Sequence, residues 1–190
     1  MGTIILLILF TLILLAIWAI RINNTIISNY NGVERAWASV LTQERQKNKI
    51  IPYVEQLVED YKLHETSLFT EITKLRTSID QLSDAQVDTE LLEEAEKQTS
   101  NFLSGLRVTV EAYPELKASD AYLKLMDEIS EQQEQVGAAL RIFNQNVESF
   151  NTSIQVFPNS LVNKWVNNKQ AITVFYDSEA SAGFEYKPNF

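Results

Sequence analysis

Residues 3–20, TIILLILFTLILLAIWAI, form a run of 18 uncharged and mostly apolar residues. As a helix the run spans about 27 Å, close to the ~30 Å hydrocarbon thickness of a bilayer. Trp18 sits near one end, where an indole suits the headgroup region, and Arg21 follows at once as a stop. A cleaved signal peptide would need a basic leader, a shorter apolar core and a small-x-small cleavage site. Only Met1 and Gly2 precede the run, and Ala16, Trp18 and Ala19 have the wrong spacing for such a site. Residues 1–22 are therefore expected to be a retained transmembrane anchor, contacting the lipid bilayer through residues 3–20.

Arg21, Arg35, Arg45, Lys47 and Lys49 all lie C-terminal to the run. The bias of cations towards the cytoplasmic side places the N-terminus outside and the remainder in the cytoplasm, in preference to the reverse. This predicts a single-pass protein of the cytoplasmic membrane.

Pro52, Pro114 and Pro158 divide the rest, because helix interiors reject proline. Between them the apolar residues recur at helical spacing. Tyr122, Met126, Ile129, Gln133, Val136, Leu140, Phe143, Val147, Phe150, Ile154 and Phe157 alternate steps of four and three, a heptad seam of coiled-coil type with Gln133 as its one polar member. The spacing predicts a helix over about 119–157, with Ser119 as N-cap. A second seam runs Val54, Val58, Tyr61, Glu65, Leu68, Ile72, Leu75, Ile79 and Leu82. SDAQVD (83–88) is a turn signal, after which Leu92, Ala95, Thr99, Phe102, Leu106, Val110 and Tyr113 form a looser third seam. Ile22, Ile26, Tyr30, Val33, Trp37 and Val40 carry the pattern on from the anchor, and it then turns polar at Glu44 and Lys47. Gly32 and the pair Asn23–Asn24 are places where this first helix could break.

The expected fold is all-α: an N-terminal transmembrane helix, then a bundle of long antiparallel amphipathic helices over 23–157. Five glycines and four prolines are too few for an all-β fold of many tight turns. Residues 158–190 lose the periodicity but keep Trp165, Phe175, Tyr176 and Phe184, which predicts a tail packed on the bundle or on a neighbouring subunit. Gly105 and Gly137 fall inside predicted helices and fit either close helix approach or simple tolerance.

The segment ERQKNKIIPYVEQLVEDYKLHE (44–65) mixes cations, acids, Pro52 and the sole histidine, His64. Its spacing predicts a helix junction: ERQKNK as a solvated helix end and Pro52 in the first turn of the next helix. Glu65 lies on an apolar seam. If buried it needs a partner, for which Lys47 and Arg141 are candidates.

No catalytic constellation is present. The absence of cysteine removes thiolate metal sites and a cysteine nucleophile. HETSL is not H-E-x-x-H, and one histidine cannot supply a di-iron bundle site. Glu93, Glu94 and Glu96 early in a helix complement its dipole. The net charge of −9 argues against nucleic acid as a partner. No metal, cofactor-binding or catalytic residue is assigned. The residues expected to matter are structural: Trp18, Arg21, Trp37, Pro52, Glu65, Pro114, Gln133, Phe143, Phe150, Phe157, Pro158 and Trp165.

Four segments, YNGVERAWASV (30–40), IIPYVEQLVEDYKLHE (50–65), VEAYPELKASDAYLKL (110–125) and RIFNQNVESFNTSIQVFPNSLV (141–162), resemble the LemA family of bacterial membrane-anchored helical proteins. The resemblance covers nearly the whole chain. It departs at VLTQERQK, where the family usually reads something like IDVQLKRR; Glu44 dilutes the basic cluster, which puts a role for it at an anionic surface in doubt. The resemblance implies a helical bundle beside the membrane and carries over no active-site residue. The expected function is that of a non-enzymatic scaffold that forms a homo-oligomer at the membrane and organises or remodels it. The alternative is an accessory or regulatory subunit of another membrane protein, such as a protease or transporter.

Overall fold

Proline should end a helix, yet the first helix of this protein runs through one. The computed structural model describes residues 1–60 and 66–176. Its elements are α1 (Gly2–Asp60), α2 (Thr66–Gln81), α3 (Thr89–Glu111), α4 (Pro114–Lys117), α5 (Asp120–Gln155) and α6 (Asn159–Val162), followed by one π-helical turn, Asn163–Asn167. There is no strand among the described residues. The chain is all-α, with a long apolar N-terminal helix leading into a helical bundle.

Helix α1 is 59 residues long and contains Pro52. This corrects the predicted junction, and neither Gly32 nor Asn23–Asn24 breaks the helix. Pro52 is exposed while Ile50, Ile51 and Val54 are buried. Three such burials, at about 1.5–3 kcal/mol each, outweigh the roughly 3 kcal/mol that an interior proline costs. Val54 and Val58 therefore belong to α1 and Leu68, Ile72, Leu75 and Ile79 to α2, so the second seam is shared by two helices. His64 and Glu65 lie outside the described residues. Pro52→Ala would restore an amide able to bond the Asn48 carbonyl. We expect a net gain of about 2 kcal/mol, the proline cost less about 1 kcal/mol of unfolded-state entropy. Urea unfolding of the full chain in detergent would measure it.

Contacts divide the chain into two units. One comprises Met1–Ala36 and Ile142–Val174; the other comprises the described residues of Trp37–Arg141 with Phe175 and Tyr176.

In the larger unit, Ile51, Val54 and Val58 of α1, Leu68, Ile72 and Ile79 of α2, Phe102 and Leu106 of α3, and Ile129 of α5 share one core with Leu116 of α4. The expected turn at 83–88 is present. Asp88 caps α3 by accepting from the Glu90 and Leu91 amides at 3.1 and 3.0 Å. Trp37 is buried, and its Nε1–H donates to the Ser83 carbonyl at 3.0 Å, fixing that turn against α1. Pro114 opens α4, where its missing amide costs nothing. Ser119 accepts from the Tyr122 amide at 3.2 Å, as its expected capping role requires. A Cβ on Gly105 or Gly137 would meet only ordinary van der Waals contacts, which favours tolerance over close approach. Phe175 is buried in this unit.

In the smaller unit, residues 2–18 of α1 are all exposed, Trp18 included, and so are Ile20 and Arg21. Burial begins at Ile22 and continues through Ile26 and Val33, together with Phe143, Val147, Phe150 and Ile154 of α5. Tyr30 meets Phe150 edge to face with ring centroids 5.4 Å apart. A Cβ on Gly32 would lie 2.8 Å from Asn146 Oδ1, so the Asn146 side chain packs where α1 has no side chain. Beyond α6 the chain returns: Asn151 bonds the Ile172 backbone through both its amide nitrogen (2.8 Å) and its oxygen (2.9 Å), and the Lys169 ammonium lies 3.5 Å from the centre of the Tyr30 ring. One seam member departs from expectation. Phe157 is 79% exposed, because α5 stops at Gln155 and Pro158 turns the chain away.

Candidate functional site

The 4-3 spacing of α1 does not stop at Val40. Val33, Trp37, Val40, Glu44, Lys47, Ile51, Val54 and Val58 continue it without a break, so two ionisable residues occupy inward positions. Glu44 is fully buried and Lys47 is 6% exposed. The expectation that ERQKNK is a solvated helix end is corrected for these two residues.

Their partners come from α3. The Lys47 ammonium donates to Glu44 Oε1 at 3.2 Å, to Glu96 Oε1 at 2.8 Å and to Thr99 Oγ1 at 3.1 Å. Thr99 in turn donates to the Ala95 carbonyl at 2.9 Å. Glu96 therefore does more than complement the helix dipole; its carboxylate closes an ion pair with α1. The three ammonium hydrogens are all used. Glu44 Oε2 lies 2.9 Å from the same nitrogen, so both carboxyl oxygens of Glu44 face the ammonium.

Burial, helped by neighbouring Glu96 and opposed by Lys47, pushes the Glu44 carboxyl up to about 8. Burial alone would lower Lys47, but Glu44 and Glu96 beside it hold it above its ordinary value. Burial would raise Glu96, but Lys47 and a hydrogen bond from Glu44 hold it below the usual carboxylate range. At neutral pH the cluster is thus a neutral acid, an ammonium and a carboxylate, with no net charge to bury.

The sign of the pH dependence follows. Glu44 binds its proton more tightly folded than unfolded, so its contribution is greatest below about pH 4.5 and declines up to about pH 8. The limiting slope is about 1.4 kcal/mol per pH unit. Glu44→Gln should copy the neutral acid and remove that decline. Melts of parent and variant should nearly coincide at pH 5, with the variant ahead by a widening margin at pH 7 and pH 9. A variant clearly weaker than the parent at pH 7 would mean that Glu44 is ionised in the fold.

The cluster adjoins a cavity of about 20 Å³ lined by Lys47, Ile50, Thr99, Phe102, Ile129 and Gln133. That is room for one water and no substrate. Among the described residues, no group of three His, Asp or Glu side chains is placed to hold a metal ion; here an ammonium stands where a cation would bind. What the arrangement can do is fix the register of α1 on α3, since any slip leaves a buried charge unpaired.

The residues singled out from the sequence do not meet at this site. Gln133 lines the cavity. Trp37, Phe143 and Phe150 are core, Pro52 is inside α1, Pro114 opens α4 and Pro158 precedes α6. Trp18, Arg21, Phe157 and Trp165 are exposed, and Glu65 is outside the described residues. Lys47, one of the candidate partners for Glu65, pairs with Glu44 and Glu96. The signal for the cluster was the unbroken seam spacing on α1.

The LemA family model matches residues 36–185, most of the chain and all four residues of the cluster. The protein belongs to the LemA family. It is 28% identical over 134 residues to Protein LemA of Metamycoplasma hominis. That match covers 70% of this chain and 60% of the relative, less than two thirds of the latter's length. The exposed apolar third of α1 precedes the region that defines the LemA match, whereas the ionic cluster lies within it.

Proposed function

We propose that this LemA-family protein is a non-enzymatic scaffold, anchored in the cytoplasmic membrane by residues 3–20 and acting through protein contacts in the cytoplasm. The observation that carries the reading is α1 itself. Its first 20 residues have a mean hydropathy of 3.0 over the most apolar 18, none of that window is buried, and the same helix continues into the bundle core. A surface of that kind needs lipid, and a continuous helix couples it to the bundle without a linker. The non-catalytic part of the reading is supported by the ionic cluster: Glu44 and Lys47 are buried, Glu96 is about three quarters covered, and the space beside them holds a single water.

Self-association is the mode of action we favour. The bundle seams are filled within the chain, so a second copy would meet the apolar helix or exposed apolar side chains of the bundle such as Val108 and Leu123. Native mass spectrometry of the detergent-extracted chain should give a defined oligomer. A monomer at every micromolar concentration, with no self-crosslinks in cells, would exclude it; one stoichiometric foreign subunit would favour the accessory role. For orientation, Ser28→Cys and Ser104→Cys should resist an impermeant maleimide in intact spheroplasts, and labelling of both would reverse the topology.

A further inference from the structure

We infer that the corner between α5 and α6 is a second membrane contact, lying on the bilayer surface beside the anchor. The inference rests on the anchor reading above. The relevant residues are Val156, Phe157, Leu161, Lys164, Trp165 and Val166. The five apolar ones are 45%, 79%, 51%, 83% and 66% exposed in that order, although the seam just before them is fully closed. Exposing Phe157 and Trp165 to water is unfavourable, and no described residue of the chain covers them.

Their height relative to the anchor is set by contacts within one unit. Tyr30 meets Phe150, and Gly32 approaches Asn146, so α5 descends towards the apolar run as α1 leaves it. Phe157 lies seven residues beyond Phe150, which brings it level with Asn23. That is about 3 Å past Arg21 at 1.5 Å per residue. The far end of the corner is tied too. Asn163 Oδ1 accepts from the Lys169 amide (3.1 Å), its Nδ2 donates to the Lys169 carbonyl (2.9 Å), and Lys169 sits over Tyr30. Tyr30 is nine residues, about 13 Å, past Arg21. Residues 158–168 are therefore held between two points within a few turns of where the apolar run ends. Headgroups occupy this depth, and Trp and Phe flanked by lysine suit it.

The charge pattern points to the same occupant. The chain carries −9 in total, but no acidic residue occurs in 1–33 or in 149–176. This unit holds Arg21, Arg35, Lys164 and Lys169 against Glu34 and Glu148. An acidic protein that keeps carboxylates out of these two segments is complementary there to an anionic lipid surface.

The chain has no cysteine, so single probes can be placed cleanly. Full-length chain in phosphatidylcholine–phosphatidylglycerol vesicles would carry an environment-sensitive dye at Leu12→Cys, Leu161→Cys or Ser104→Cys, with lipids spin-labelled near the headgroup or deep in the acyl chain as quenchers. We expect Leu12→Cys to be quenched by the deep label, Leu161→Cys by the shallow label several-fold more than Ser104→Cys, and Ser104→Cys hardly at all. Adding Phe157→Ser and Trp165→Ser to the Leu161→Cys chain should weaken its quenching, because the corner keeps its height but loses the side chains that insert, while Leu12→Cys stays quenched. If Leu12→Cys is quenched but Leu161→Cys is not, the second contact is refuted and the anchor stands. If Leu12→Cys is not quenched, the anchor reading itself fails. Self-crosslinking through Leu161→Cys without lipid quenching would assign the corner to a second copy and overturn the inference.

Discussion

Lys47→Met is expected to destabilise the bundle by about 3–5 kcal/mol, the usual cost of removing one partner from a buried ion pair. A chain of this length should then lose about 6–20 °C in Tm. The cost does not come from lost packing, since Met matches the lysine stem in volume. It comes from what is left behind: the Glu96 carboxylate loses its 2.8 Å partner and Thr99 Oγ1 loses its donor. Glu44 suffers less because it is already the neutral member at pH 7. Two further variants separate this account from a generic core defect. Lys47→Met with Glu96→Gln should recover part of the loss, and adding Glu44→Leu should recover more, as buried ionic clusters replaced whole by apolar side chains often do. Thermal melts of the full chain in detergent would measure all three. If the double variant is no better than Lys47→Met alone, unpaired charge is not the cause.

Phe150→Ala should cost about 3–5 kcal/mol, and the loss should be local. Phe150 is fully buried, and its ring takes the edge of Tyr30 at 5.4 Å, an aromatic pair that adds about 0.5–1.5 kcal/mol beyond area burial. Truncation leaves a cavity beside Ile26, Val147 and Ile154. Hydrogen exchange is the appropriate readout, because the residues concerned belong to one contact unit. Amides of Ile22–Val33 and Phe143–Ile154 should lose protection, while those of Leu68–Ile79 and Phe102–Val110 keep it. Phe150→Leu preserves most of the volume and should cost less than about 1.5 kcal/mol. Uniform loss of protection across both sets would show that the chain opens as one cooperative body.

The helices were legible because seam spacing is a local property. Leu92, Ala95, Thr99, Phe102, Leu106 and Val110 of α3 are all buried, as their periodicity predicts. The ends were legible where the signal is local, as at the 83–88 turn, Pro114 and Ser119; the Asp88 cap was found only in the structure. The ionic cluster was half legible. The spacing put Glu44 and Lys47 on the inward face of α1, but their identity argued for solvent, and the deciding partner lies 49 residues beyond Lys47 at Glu96.

The sequence by itself determined an all-α chain, an exposed apolar helix over its first 20 residues and the inward face of each helix that follows, because these depend on residues within a few turns of one another. Only the tertiary structure decided three things. Pro52 stays inside α1, since burying Ile50, Ile51 and Val54 outweighs a missing hydrogen bond. Glu44 and Lys47 are core, since a carboxylate and a hydroxyl from another helix satisfy the ammonium. Phe157 ends outside, since its seam stops two residues earlier at Gln155. In the first two cases a local preference is overridden by partners distant in sequence, and such partners exist only once the helices have packed; in the third the helix ends before the periodicity does.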